Sequence, residues 1–132
     1  MRLSRIVIKN FRNFSSLDVR LGRHAVVLGE NKVGKTNLLF ALRLILDPAL
    51  PDSARRLRLD DFWDGLDRPL KAEDVIELSI EFSDFEDREE LLAVLADHIV
   101  QPDPMVARIT YRYQPVAGLD RAPRSEADYE FI

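Results

Sequence analysis

Apolar and polar residues alternate with a period of two in several stretches of this chain, and each predicts a strand. "LSRIVIKNF" predicts one over about 3 to 9, and "SSLDVRL" a second through Leu17, Val19 and Leu21. Only the short link "NFRNF" separates them, so an antiparallel pair is expected. "HAVVLG" is a short apolar run ending in Gly, the pattern of a buried strand feeding a tight loop. From Lys35 the period changes. Leu38, Leu39, Ala41, Leu42, Ile45 and Leu46 fall at helical spacing, with no Gly or Pro before Pro48, which predicts a helix of about three turns.

The next stretch, "DPALPDSARRLRLDDFWDGLDRPLKAED", holds three Pro and seven Asp and predicts a short helix or two but no regular element. "VIELSIEFSDF" alternates strictly and predicts a half-exposed strand. "DREELLAVLADHIV" predicts an amphipathic helix with Leu91, Leu92, Val94, Leu95 and Ile99 on one face. "MVARITYRYQPV" predicts another strand, and the polar tail turns strand-like at its last residues. A chain ending on "YEFI" reads as cut within a fold.

Composition narrows the class. The 132 residues are about one domain's length, and 46% hydrophobic with 32% charged is ordinary for a globular protein. With no Cys, disulfides and Cys-ligated zinc are excluded. No apolar run approaches the roughly 18 residues of a membrane span, and Met1-Arg2-Leu3 does not open a signal peptide, so a cytoplasmic protein without a membrane partner is expected. The net charge of −4 hides an asymmetry. Residues 1 to 46 carry nine Lys/Arg against two acids, +7, while the remainder carries ten against twenty-one, −11. The positive part suits a polyanion.

That part also contains Gly29-Glu30-Asn31-Lys32-Val33-Gly34-Lys35-Thr36, which fits G-x-x-x-x-G-K-[ST] between a predicted strand and a predicted helix. The two Gly permit a loop whose successive N–H groups turn inward onto phosphate oxygens, and the following helix directs its positive end there. Lys35 is expected on the β- and γ-phosphates as the catalytic cation, and the Thr36 hydroxyl on Mg²⁺. Given Gly at about 7% of residues, a chance match is on the order of one in a few hundred. The expected nucleotide set is Gly29, Asn31, Lys32, Val33, Gly34, Lys35, Thr36 and Asn37, with ATP and Mg²⁺ as ligands. Glu30 reads as a loop-tip residue.

The stretch "LSRIVIKNFRNF … LGRHAVVLGENKVGKTNLLFALRLIL" resembles the N-terminal ATPase lobe of the SMC, RecF and OLD (overcoming lysogenization defect) proteins, an ABC-type branch. These open with a strand, an N-F-[RK]-x-[FY] turn, a second strand and G-x-N-x-x-G-K-[ST]. "ILDP" followed by the Asp-rich "DDFWDG" is most similar to OLD-family ATP-dependent endonucleases. The resemblance implies an α/β P-loop NTPase lobe with an antiparallel strand layer, residues 1–132 being the N-terminal part of an ABC/SMC-like AAA ATPase domain. It implies ATP hydrolysis driving DNA processing, with DNA as partner, a role such as repair or phage defence, and a homodimer that sandwiches nucleotide between two lobes. It puts Asn31 near the γ-phosphate and Arg12 and Asn13, in the turn, beside the nucleotide. Lys32 departs from the small residue usual at its position.

The same resemblance calls for parts that are not found. "LRLILDP" imitates a Walker B ending at Asp47 but continues the helix and has Pro where Glu belongs. "VIELSIEFSD" ends at Asp84 but alternates. Both are rejected. Gln101 or Gln114 could serve as the Mg²⁺-sensing Gln, with Gln114 preferred as lying just after a strand. His24 and His98 read as structural. Asp60, Asp61, Asp64 and Asp67 could be read as a metal site, but their spacing fits no known loop and acid-rich surface segments are common. A Toprim-type nuclease centre would lie outside this chain. Two alternatives stay open: a RecF- or SMC-like repair ATPase that binds DNA without cutting, and another P-loop class such as a GTPase. The last lacks the N/T-K-x-D motif.

Overall fold

The computed structural model describes residues 2–21, 32–47 and 49–132. Among these, β1 (Arg2–Phe11), β2 (Phe14–Arg20), α1 (Lys32–Leu46), α2 (Asp52–Arg55), β3 (Ile76–Ser83), α3 (Glu89–Leu95), β4 (Ile99–Pro102), β5 (Met105–Pro115) and β6 (Tyr129–Phe131) follow in order. The six strands form one sheet in the order β2-β1-β3-β5-β4, with β6 on the far end of β5. Every pairing is antiparallel. The expected β1–β2 pair and the expected helix carrying Leu38 to Leu46 are present, and β1 pairs on its other side with β3. The strand expected from "HAVVLG" lies outside the described residues.

Register explains which face is dry. Ile6 lies opposite Ile80 and Ile8 opposite Leu78, and across β3 these continue to Ile109 and Tyr111. One-residue offsets change faces in a strand, so these rows line one side together. Leu38, Ala41 and Leu44 of α1 are buried with them in the core, whereas Leu39 and Leu46 face outward. The irregular 49–74 segment contributes Leu57, Phe62 and Leu70 to the same core. Phe62 tilts against Tyr113 and Tyr129, which stack on one another at 5.0 Å. The Tyr111 hydroxyl donates to the Arg55 carbonyl and so ties α2 to the sheet.

The opposite face corrects one expectation. β3 is not half-exposed: its Ser79 and Glu81 are buried along with its apolar residues. The strand is central, and long side chains from both neighbours cover it. Arg5 lies opposite Glu81 on one side and Arg108 on the other. Both guanidinium groups reach Glu81 Oε2 at 3.0 Å, and Arg5 also binds Asp18 at 2.6 Å. That bond holds the Asp18 carboxyl below its usual range. Period-two patterning cannot distinguish a polar row facing water from one roofed by arginines.

The second correction concerns α3. It ends at Leu95, a 3₁₀ turn covers Ala96–His98, and Ile99 already belongs to β4. Val94 is 72% exposed, so the apolar stripe is narrower than expected.

Glu81 is the buried charge on which this outer face depends. Glu81→Ala should cost about 2 kcal/mol, because a charged acceptor is lost while the arginines, partly exposed, recover some hydration. Arg108→Ala, at a side chain 41% exposed, should cost less than half of that. Urea unfolding of both variants checks the order, and equal or reversed losses would refute it.

Candidate nucleotide site

The β1–β2 hairpin closes on Arg12 and Asn13, with Phe11 opposite Phe14. Asn10 and Arg12 both have left-handed backbones, φ 57° and 52°. Asn enters that region readily, while a bulky residue such as Arg pays on the order of 1–2 kcal/mol. Backbone bonds from the segment after α2 offset the cost. Arg12 N donates to Asp61 O (2.8 Å), Asp64 N to Arg12 O (3.2 Å) and Trp63 N to Asn10 O (3.0 Å). Asn10 Nδ2 in turn donates to Val75 O at 3.0 Å.

From this turn the Arg12 guanidinium crosses to α1. Its Nε donates to Asp61 Oδ1 (3.1 Å) and its Nη1 to Asn37 Oδ1 (2.8 Å). It lies 4.5 Å from the centroid of the Phe40 ring and 5.1 Å from that of Phe11, which stack on each other. Asn37 Nδ2 completes the clasp by donating to Asn13 Oδ1 at 2.8 Å. The direction is forced chemically. Arginine only donates, so the Asn37 oxygen must face it, which leaves the amide NH₂ for Asn13. Asn37 is 7% exposed, and both of its polar atoms are engaged within the protein.

Asn37 directly follows Thr36, so the clasp holds the helix in which the G-x-x-x-x-G-K-[ST] sequence ends. α1 begins at Lys32, ahead of the Lys35 start expected from periodicity. Lys32, Val33, Gly34 and Lys35 therefore have helical backbones, and Thr36 is exposed. The first four N–H groups of a helix lack internal acceptors, and its N-terminus carries partial positive charge. The first turn holds no acid to compete for it. Chemically this end can receive an anion. Gly29 and Asn31 lie outside the described residues, as does His24.

The other candidates separate from this place. Gln114 lies inside β5 opposite Glu130, rather than after the strand, and Gln101 Nε2 donates to Pro104 O within the β4–β5 turn. Asp84 pairs with Arg2, and Asp47 receives the Ala49 N–H. Among the described residues, no group of three or more His, Cys, Asp or Glu could hold a metal ion, which includes the 60–67 acids. What sequence reasoning missed is Asp61 as the counter-ion of Arg12. The two are 49 residues apart, and nothing in an irregular segment gives its register against a hairpin.

A family model described as Protein of unknown function (DUF2813) matches residues 1–118. The chain belongs to that family. This DUF2813 chain is 51% identical over 47 residues to Endonuclease GajA of Bacillus cereus (strain VD045), covering 36% of the chain and 8% of GajA. It is 40% identical over 63 residues to the uncharacterized protein YbjD of Escherichia coli (strain K12), 48% of the chain and 11% of YbjD. It is also 48% identical over 44 residues to the DNA replication and repair protein RecF of Rhizobium etli (strain CIAT 652), 33% of the chain and 12% of RecF. The chain thus spans only 8% to 12% of the length of these relatives. A solved structure from work on ATP-driven dimerization and DNA-stimulated activation of SMC ATPases aligns with TM-score 0.51 at 20% identity. The alignment covers 99% of this chain and 69% of that one, and at this identity the likeness is one of fold. No helix among the described residues is long and apolar enough to cross a membrane.

Proposed function

We propose that this chain is the nucleotide-gripping part of an ATPase that drives DNA processing, in the manner of OLD-family DNA endonucleases. The observation that carries the reading is the clasp of the Arg12–Asn13 turn on Asn37, one residue past Thr36. It joins the two sequence features that the resemblance treats as one nucleotide site. The endonuclease GajA among the relatives supports the DNA-cutting form.

In this reading Gly29 and Asn31, together with the N-terminal turn of α1 through Lys32, Val33 and Gly34, receive the phosphates. Lys35 neutralises the β- and γ-oxygens, and Arg12 adds a second cation from the hairpin. The Thr36 hydroxyl, exposed on α1, is a ligand of the right hardness for Mg²⁺. Mg²⁺–ATP, when bound, supplies the phosphoanhydride to be cleaved. Asn37 orients rather than contacts, since its amide is already spent on the turn. The partner is DNA, two copies act together, and the nuclease residues lie elsewhere in the intact protein, which works in the cytoplasm.

A second reading, an ATPase that binds DNA for repair without cutting it, is favoured by the RecF relatives. Phosphate release and plasmid nicking by the intact protein, with Mg²⁺, ATP and DNA, distinguish the two. Both activities are expected. Hydrolysis without nicking favours the RecF-like reading, and neither activity sinks both.

A further inference from the structure

The 58–64 segment, with a 3₁₀ turn over Leu59–Asp61, holds the hairpin turn firmly. Besides its backbone bonds to Asn10 and Arg12, Phe62 forms an isolated bridge with Phe11, and both rings are fully buried. Asp61 is itself fixed. Its Oδ2 accepts the Arg58 N–H at 2.8 Å, and its other oxygen takes Arg12 Nε. The Trp63 ring closes over Gly65 so tightly that a Cβ there would meet it at 2.4 Å. A carboxylate thus sits on an immobilised loop and grips one edge of a guanidinium whose other edge grips α1.

We infer that Asp61 is a positioning residue for nucleotide binding, acting through Arg12 and Asn37 on the start of α1. The inference rests on the nucleotide reading above. A guanidinium is a rigid planar fork, so fixing Nε fixes the direction of Nη1. Without Asp61 the side chain keeps its aromatic contacts but loses its azimuth, and the Arg12–Asn37–Asn13 chain loosens.

The sign of the effect separates this role from simpler ones. A carboxylate near a polyphosphate site repels the ligand, so by charge alone Asp61→Asn should tighten ATP binding. As a purely structural residue it should lower the melting temperature and leave affinity untouched well below that temperature. As a positioning residue its loss weakens ATP binding although a negative charge has been removed.

The test is calorimetric titration of the intact protein with Mg²⁺–ATP, at a temperature where every variant is folded. Asp61→Asn should bind about five- to tenfold more weakly, a loss of the size expected for one charge-assisted contact. The double variant Asp61→Asn/Arg12→Ala should match Arg12→Ala alone within about twofold, since the two act as one unit. Asn37→Ala interrupts the same chain at its other end, and adding Asp61→Asn to it should likewise cost little more. Affinity at or above wild type in Asp61→Asn, or losses that multiply in the doubles, overturns the inference. Lys35→Ala runs beside them. If it binds ATP like wild type, the nucleotide reading falls and this inference with it. If it does not, while Asp61→Asn does, only the role of Asp61 is refuted.

Discussion

Lys35→Ala should reduce ATP hydrolysis by the intact protein at least a hundredfold, close to background, the cost typical of removing one preorganised electrostatic contact at a developing charge. In the proposed site Lys35 is the point charge on the β/γ-phosphates. Phosphoryl transfer leaves the protein little to do except position and neutralise. Arg12 cannot substitute, because its Nε and Nη1 are committed to Asp61 and Asn37. The fold should survive, since α1 is held to the core by Leu38, Ala41 and Leu44 from later turns. Phosphate release by the purified variant, with a circular dichroism spectrum matching wild type, is the measurement. Unchanged turnover in a folded variant would remove the site. Thr36→Ala should fall in the same direction, through Mg²⁺ placement.

Much of the fold was legible in the sequence because the strands are regular enough for period two to appear. β1, β2, β3 and β5 were visible this way, and so was α1 from its change of period. What escaped has a common cause: it depends on partners distant in sequence. Glu81 looked solvent-facing because alternation carries no sign that Arg5 and Arg108 will roof it. Ile99 has helical spacing from Leu92 and Leu95, yet it pairs with Ala107 as a strand residue. The ladder bonds available beside β5 outweigh a local preference worth a few tenths of a kcal/mol per residue.

The candidate site divides in the same way. The loop motif is local and was read directly, whereas the link from turn to helix is not. Arg12 and Asn13 were singled out by resemblance alone. The contact with Asn37 supplies a physical reason for that pairing, an amide placed to accept from one and donate to the other. In the sequence Asp61 stands out only as one of four closely spaced acids. Its two oxygens are instead taken by Arg12 and the Arg58 N–H, which leaves a cation little to bind.

The 132-residue chain by itself should show ATP turnover no higher than its own Lys35→Ala variant, and no nicking of DNA. Phosphate contacts alone bind ground and transition states alike, and only contacts strengthened in the transition state raise the rate. The resemblance assigns those to the Asp and Glu of a Walker B strand, and both stretches that imitate one are rejected on their sequence. The acids that come nearest are occupied. Asp84 is bonded to Arg2 and Asp61 to Arg12, while Asp47 accepts the Ala49 N–H and lies 3.5 Å from the Arg43 guanidinium. A carboxylate turned onto an arginine is not aimed at an attacking water, and a general base works only within hydrogen-bond reach of the proton it takes. Phosphate release and plasmid nicking by the chain, with Mg²⁺ and ATP and with the Lys35→Ala chain as background, read the outcome. Turnover well above that background would place the catalytic acid within these residues, and Asp60, Asp64 and Asp67 would be the first to replace with Asn.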